Sequence, residues 1–229
     1  MRCIFCKSDS TGTCSIEHVI PESLGNTAHV LPRGLVCDNC NQYFAIKIEQ
    51  PLLNSTVFRD LGRTMTIPNK RGNLPPPEKS EAPLLPTYRI MGRFIGRVGL
   101  EALAARLQNG KGWEQDVIDK PELDKIRDYV RYDRGEDWLF AFRSLYPVNA
   151  VFADGNEMYE VLHEYDLLYT ERKELYIIVA ILGVEFAPNL GGPVLDGYLD
   201  WVKRHEFRSP LYEGKNAGPT EGDDDWQQP

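Results

Sequence analysis

The sequence predicts an α+β fold, in which a metal-stapled N-terminal module precedes an α+β region with a helix and a β-hairpin sheet. Three patterns predict it. Two Cys-x-x-Cys pairs, Cys3/Cys6 and Cys37/Cys40, bracket the first forty residues. A helical period runs from Tyr88 to Leu107, with Ile90, Phe94, Val98, Ala102 and Ala105 on one side. Further on, Tyr165 to Tyr169 and Leu175 to Phe186 flank the polar turn Glu171-Arg172-Lys173 and read as a long hairpin. At 229 residues, 42% hydrophobic and 26% charged, the chain is long enough to bury a sizeable core. The expected divisions are 1–66 for the stapled module, 67–86 for a Pro-rich linker, 87–212 for the α+β region and 213–229 for a disordered acidic tail.

The cysteine pairs come first along the chain. Each pair closes a knuckle whose two thiolates point at one ion, and four thiolates complete the tetrahedral shell of a structural Zn²⁺. Paired thiols behind an N-terminus with no apolar signal core read as metal ligands rather than disulfides. Cys14 is left over as an ordinary free thiol. Thirty residues separate Cys6 from Cys37, so the metal staples a loop larger than that of a minimal zinc ribbon. Glu17-His18 lies in that loop, and Asn41 follows the second pair directly. Ser15 to Ile20, β-branched and bounded by Pro21, predicts a brief strand, and Leu31 to Val36 predicts a second. Asp38 or Asn39 is placed to cap a helix through Tyr43, Phe44, Ile46 and Ile48, with Pro51 as its stop. A second short helix is expected over Ser55 to Arg63.

Cys3-Ile-Phe-Cys6, Glu17-His18-Val-Ile-Pro21-Glu-Ser-Leu-Gly25 and Val36-Cys37-Asp-Asn-Cys40-Asn41 together resemble the HNH endonucleases, whose core is the ββα-metal fold. In that family the first His follows an acidic residue and precedes an apolar-apolar-Pro run. The last metal ligand, His or Asn, comes directly after the second cysteine pair. The resemblance therefore implies His18 as general base, Glu17 as a metal-ligand carboxylate and Asn41 as the final ligand of the catalytic ion. The family's middle Asn, which fixes the loop, lies a few residues before the second cysteine pair. Here that segment reads Val30-Leu31-Pro32-Arg33-Gly34-Leu35, so the resemblance leaves the loop-fixing role unassigned. The resemblance covers about fifty residues, and Asn26, Asn39, Gln42 and His29 remain polar neighbours without a motif position.

Beyond the linker, Arg89, Arg93 and Arg97 recur every four residues on the Tyr88–Leu107 helix. Three arginines at this spacing without interleaved acids repel one another unless an anion or other counter-charge is near, and a solvated arginine face is the alternative. They are read as candidate nucleic-acid contacts, to phosphate. Residues 113–145 read as largely helical, with Trp138, Phe140 and Phe142 in the core. Tyr176 to Leu182 is apolar on both faces and reads as a central covered strand. Leu195, Leu199 and Val202 suit a last amphipathic helix, flanked by Trp201. His163 and His205 are expected to be structural.

The net charge of −8 argues superficially against a nucleic-acid substrate, but it is unevenly spread. Residues 1–75 carry 8 Lys/Arg against 6 Asp/Glu, leaving the remainder, with its acidic tail, at −10. A weak overall field shifts the task to local contacts and to the ions' own charge. A neutral imidazole titrates in the range needed to take a proton from water near neutral pH. The oxygen ligands of Glu17 and Asn41 suit Mg²⁺ or Mn²⁺ as catalytic ion. The function expected is metal-dependent hydrolysis of phosphodiester bonds, most directly in DNA. A non-catalytic zinc module that binds nucleic acid or protein, and an RNA-cleaving nuclease of the same fold, are the alternatives. No run of about eighteen apolar residues exists, so no membrane partner is expected and the location expected is cytoplasmic. The second region is expected to grip substrate or to form a homodimer.

Overall fold

The computed structural model describes residues 1–26, 28–68, 72–74, 83–147, 150–154, 157–160 and 163–212. Most of the expected linker, at 69–71 and 75–82, and the expected tail at 213–229 lie outside the described residues. The fold is α+β, as the patterning predicts.

The N-terminal module is a short hairpin followed by a helix. β1 (Glu17–His18) pairs antiparallel with β2 (Val30–Leu31), setting Glu17 opposite Leu31 and His18 opposite Val30. α1 (Asp38–Phe44) starts from Cys37 as N-cap rather than from Asp38 or Asn39. Pro51 does not end the helix. It lacks the N–H that an α-turn would bond to the fourth residue back, and its ring crowds that carbonyl. The chain widens into a π-turn at Ala45–Glu49, with the Gln50 N–H reaching Ala45 O, and continues as α2 (Gln50–Leu53). α3 (Thr56–Thr64) follows, its first N–H groups at Thr56 and Val57 bonded to Pro83 O and Leu84 O at 3.0 and 3.2 Å.

α4 (Tyr88–Leu107) is the axis of the molecule. Every residue from Gly92 to Ala104 is buried, so this helix has no solvent face over its centre. Gly92 permits the close approach: a Cβ there would lie 2.6 Å from Tyr129 Oη and 3.2 Å from Trp138 O. α5 (Trp113–Val117) and α6 (Asp124–Tyr132) pack on one side of α4. Residues 140–144, expected to be helical, form instead the strand β3 (Phe140–Ser144). Phe140 is buried against Tyr88 and Phe186, whereas Phe142, expected in the core and on the same face two residues on, is 68% exposed.

β4 (Val151–Asp154) and β5 (Glu157–Glu160) make a separate antiparallel pair. β6 (His163–Tyr169), β7 (Leu175–Ile181) and β8 (Val184–Pro188) join β3 in a four-stranded antiparallel sheet of order β3-β8-β7-β6. The apolar run Leu175 to Phe186 is thus two strands. It turns at Leu182-Gly183, whose φ values of 51° and 82° are the paired left-handed conformations of a tight hairpin turn. β7 is covered on both faces, as predicted: Ile177, Val179 and Ile181 face the main core, while Tyr176, Ile178 and Ala180 face α7 (Asp196–Arg204). On α7, Trp201 and Val202 are buried and Leu199 is exposed, so the expected apolar stripe is rotated. One core runs from Cys3 and Phe44 through Phe94 and Val98 to Ile177 and Leu190, so the module and the second region share it. Among the described residues no helix is long and apolar enough to cross a membrane.

Candidate active site

Four cysteine sulfurs meet beside the hairpin. Cys3, Cys6, Cys37 and Cys40 place their Sγ atoms within 4.8 Å of one another, and Cys6 Sγ and Cys37 Sγ are 3.6 Å apart. In a tetrahedral zinc site with bonds of about 2.3 Å, sulfurs sit about 3.8 Å apart. The donor set and its dimensions fit such an ion. The surroundings favour thiolate at Cys3 alone: Cys40 hydrogen-bonds the Cys3 sulfur, which pulls the Cys3 pKa down to about 5 and pushes that of Cys40 up. Burial pushes Cys37 up to about 11. The Cys37 N–H points at Cys3 Sγ at 3.4 Å, and Arg131 Nε lies 3.1 Å from Cys40 Sγ, bringing a positive charge against the cluster. Cys14 is exposed and outside it.

The knuckles and α1 hold the segment from Ile16 to Ile20 from several sides. Asn41, in the second turn of α1, donates from Nδ2 to Ile16 O at 3.3 Å. With its nitrogen anchored on the strand, the amide oxygen is the end left for a ligand. The Val19 N–H bonds His29 O at 3.0 Å. Asn26, 2% exposed, donates to Ile20 O at 2.7 Å and His29 O at 3.3 Å, and accepts from the Ala28 and His29 N–H groups at 3.0 Å each. Asn26 therefore clasps the hairpin loop, from the loop itself and not from the 30–35 segment where the resemblance looked for an asparagine. An Asn directly after Gly25, which has φ of 91°, was the sequence signal.

His18 is half-buried, and its Nδ1 is buried without a hydrogen-bond partner among the described residues. Glu17 is 8% exposed and accepts from Arg97 Nη2 at 2.6 Å. An ionised carboxylate has about four lone-pair sites, so this bond does not exhaust its capacity as a ligand. Glu17 and Asn41 thus fit a hard divalent ion by donor type.

The three α4 arginines are corrected by the structure. They do not form an open basic stripe. Arg97 is fully buried, holding Glu17, Glu49 and Glu101. Arg93 is buried, donating to Tyr43 Oη at 2.6 Å and Val130 O at 3.0 Å. Arg89 pairs with Asp133 at 2.5 Å and Asp137 at 2.9 Å. Apart from Glu101, one turn on from Arg97, their counter-charges come from residues distant in sequence, and the mutual repulsion that suggested phosphate is relieved inside the protein. Burial opposes charge on Arg97, but its three carboxylates outweigh that and raise its pKa. Burial, reinforced by Glu17 and Glu49 and opposed by Arg97, raises Glu101 well above the usual carboxylate range.

His29 and His163 form a second link between the regions. His163 donates from Nε2 to Leu24 O at 2.8 Å, and His29 packs edge-on against Tyr165 with centroids 5.0 Å apart. Burial lowers both pKa values, that of His163 to about 4.

Residues 3–57, which contain the cysteines, the hairpin and α1, match the family model described as HNH endonuclease. The match spans residues 3–57 of a 229-residue chain, so it describes the N-terminal segment alone. No curated protein and no solved structure gives a match to the chain. The matched segment supplies both knuckles, His18, Glu17, Asn26 and Asn41, and the four clustered cysteines can hold a metal ion.

Proposed function

We propose that the chain is a metal-dependent endonuclease that hydrolyses phosphodiester bonds in DNA, with His18 as general base. The observation that carries this reading is the imidazole of His18. It stands next to the fixed carboxylate of Glu17, on a strand tied to Asn41, with a buried Nδ1 that has no partner among the described residues. A buried polar atom of this kind ordinarily finds a partner in the protein. The side chain as a whole is only half-buried, so the imidazole, in its neutral form, can take the proton of an attacking water through its other ring nitrogen.

Glu17 and Asn41 are the residues that would hold Mg²⁺ or Mn²⁺. Such an ion, when bound, supplies charge neutralisation on the phosphoryl and leaving oxygens. The four cysteines would hold a closed Zn²⁺ that fixes both knuckles and the start of α1, without an open position for chemistry. Phosphate contacts are assigned to Lys47, Arg131 and Arg134, none of which pairs with a carboxylate among the described residues, although Arg131 also bonds Cys40 Sγ. Tyr43 and Tyr132 lie between them: Arg131 sits over Tyr43 at 4.1 Å, and Arg131 and Arg134 each over Tyr132 at 5.2 Å. Lys47, Arg131 and Tyr43 line one shallow cleft along the outer side of α1.

The test is incubation of purified protein with supercoiled plasmid, linear duplex, single-stranded DNA and RNA, each with Mg²⁺, Mn²⁺ or EDTA. The reading expects metal-dependent nicking of DNA. Binding without cleavage under every metal would contradict it, and cleavage confined to RNA would change the substrate.

A further inference from the structure

We propose that Arg97, from the second region, is the positioning residue of the catalytic dipeptide. This rests on the reading of Glu17, His18 and Asn41 as the active site. β1 is two residues long and pairs with a β2 of two residues, a ladder too short to hold two catalytic side chains in register by itself. Ties from within the matched segment reach Ile16 through Asn41, Val19 through His29 and Ile20 through Asn26. Glu17 and His18, between them, are tied from α4. Arg97 Nη2 donates to Glu17 Oε1 at 2.6 Å and to the His18 carbonyl at 2.9 Å.

The guanidinium is itself fixed. Nε bonds Glu101 Oε1 at 3.0 Å, Nη1 bonds Glu49, and the plane lies over the Phe44 ring at 5.7 Å. Arg97 is 0% exposed, so neither solvent nor substrate phosphate competes for it. The π-turn belongs to the same device. Glu49 closes that wide turn, eight residues after Asn41, so the helix that carries Asn41 also carries an acid that locks Arg97. A planar fork can hold a carboxylate and a carbonyl at once, which a lysine ammonium does with poorer directionality. Arg97 thus sets the direction of the Glu17 carboxylate and the backbone that aims His18. The second region completes the site by reaching under it.

The experiment compares wild type with Arg97→Lys and with the double variant Arg97→Gln/Glu101→Gln, which exchanges the buried ion pair for neutral amides. Zinc content and melting report the fold, Mn²⁺ affinity is read by water-proton relaxation without turnover, and cleavage gives kcat and KM separately. Groups that orient metal ligands typically contribute about 10–100-fold to metal affinity or activity. The expected result is a folded, zinc-loaded variant with KM near wild type, kcat lower by about that factor and Mn²⁺ bound several-fold more weakly. A folded variant with wild-type kcat and Mn²⁺ affinity overturns the proposal. So does loss of zinc and of cooperative melting in both variants, which would make Arg97 a structural tie alone. If the wild type cleaves nothing, the nuclease reading fails by itself, and the Mn²⁺ titration still reports whether Arg97 orients Glu17. Absence of Mn²⁺ binding by wild type overturns the positioning role as well.

Discussion

Replacing Asn26 by Ala should unlatch the hairpin that carries Glu17 and His18. The substitution removes four hydrogen bonds: two donated, to Ile20 O and His29 O, and two accepted, from the Ala28 and His29 N–H groups. Ala28 is exposed and its N–H can turn to water, whereas Ile20 is fully buried and its carbonyl is left unpaired. An orphaned buried group costs about 1–3 kcal/mol, and the half-buried groups of His29 add a fraction of that, so the loss should be about 2–4 kcal/mol. For a chain of this length each kcal/mol lowers Tm by about 2–4 °C, which gives a fall of roughly 5–15 °C. Asn26→Asp separates the two halves of the clasp. It keeps both acceptors but sets a carboxylate oxygen against Ile20 O where the native N–H donates, so it too should destabilise. The assay is thermal and urea unfolding, with zinc content as control. A Tm within about 2 °C of wild type for Asn26→Ala would refute the assignment of Asn26 as the loop clasp.

Three further outcomes follow from the same geometry. Burial holds the folded-state pKa of His163 at about 4 against an unfolded value of about 6.5, so between these pH values the unfolded chain binds a proton that the folded chain does not. Stability present in full above pH 6.5 should fall by about 2–3 kcal/mol as pH drops to about 4. His163→Gln, which retains a donor for Leu24 O, should flatten that part of the urea-unfolding profile, and an unchanged slope would contradict the burial of a neutral imidazole. Removal of zinc by a chelator, or Cys37→Ser, should abolish cooperative melting, since structural zinc in small domains contributes on the order of 10 kcal/mol; a folded, soluble protein free of zinc by elemental analysis would rule out the four-cysteine site. Replacing Lys47 and Arg134 by Gln should reduce the dependence of log affinity for DNA on log salt by about two. An unchanged slope would remove these two side chains from the phosphate track.

Short-range chemistry was legible in the sequence wherever it did not depend on distant partners. The cysteine pairs, the bounds of α4 and the covered strand β7 follow from spacing and periodicity. Pro51 was read as a stop because a π-turn has no marker in local propensity; only the packing of Ile48 and Leu52 on either side makes continuing the helix worthwhile. The Leu182-Gly183 turn hid inside an apolar run because Leu is an unusual residue at φ of 51°. The arginines of α4 show the limit most clearly. A four-residue period looks the same on a wet face and in a core, and what separates the cases is whether carboxylates arrive from elsewhere. For Arg97 they arrive from Glu17 and Glu49, 80 and 48 residues away, as well as from Glu101 on the next turn. Gly25-Asn26 marked a turn but not the role of Asn26, since the clasp is made by one side chain reaching four backbone groups.

The most direct test of the account is plasmid cleavage by His18→Ala beside Asn41→Ala. The base touches only the attacking water, so its loss should lower cleavage by about 10²–10⁴-fold, with zinc content, Tm and DNA affinity near wild type and no recovery at raised Mg²⁺ or Mn²⁺. Asn41→Ala removes a ligand instead, and added metal should restore part of its activity. Full cleavage by His18→Ala would contradict the assignment of this site as the nuclease centre.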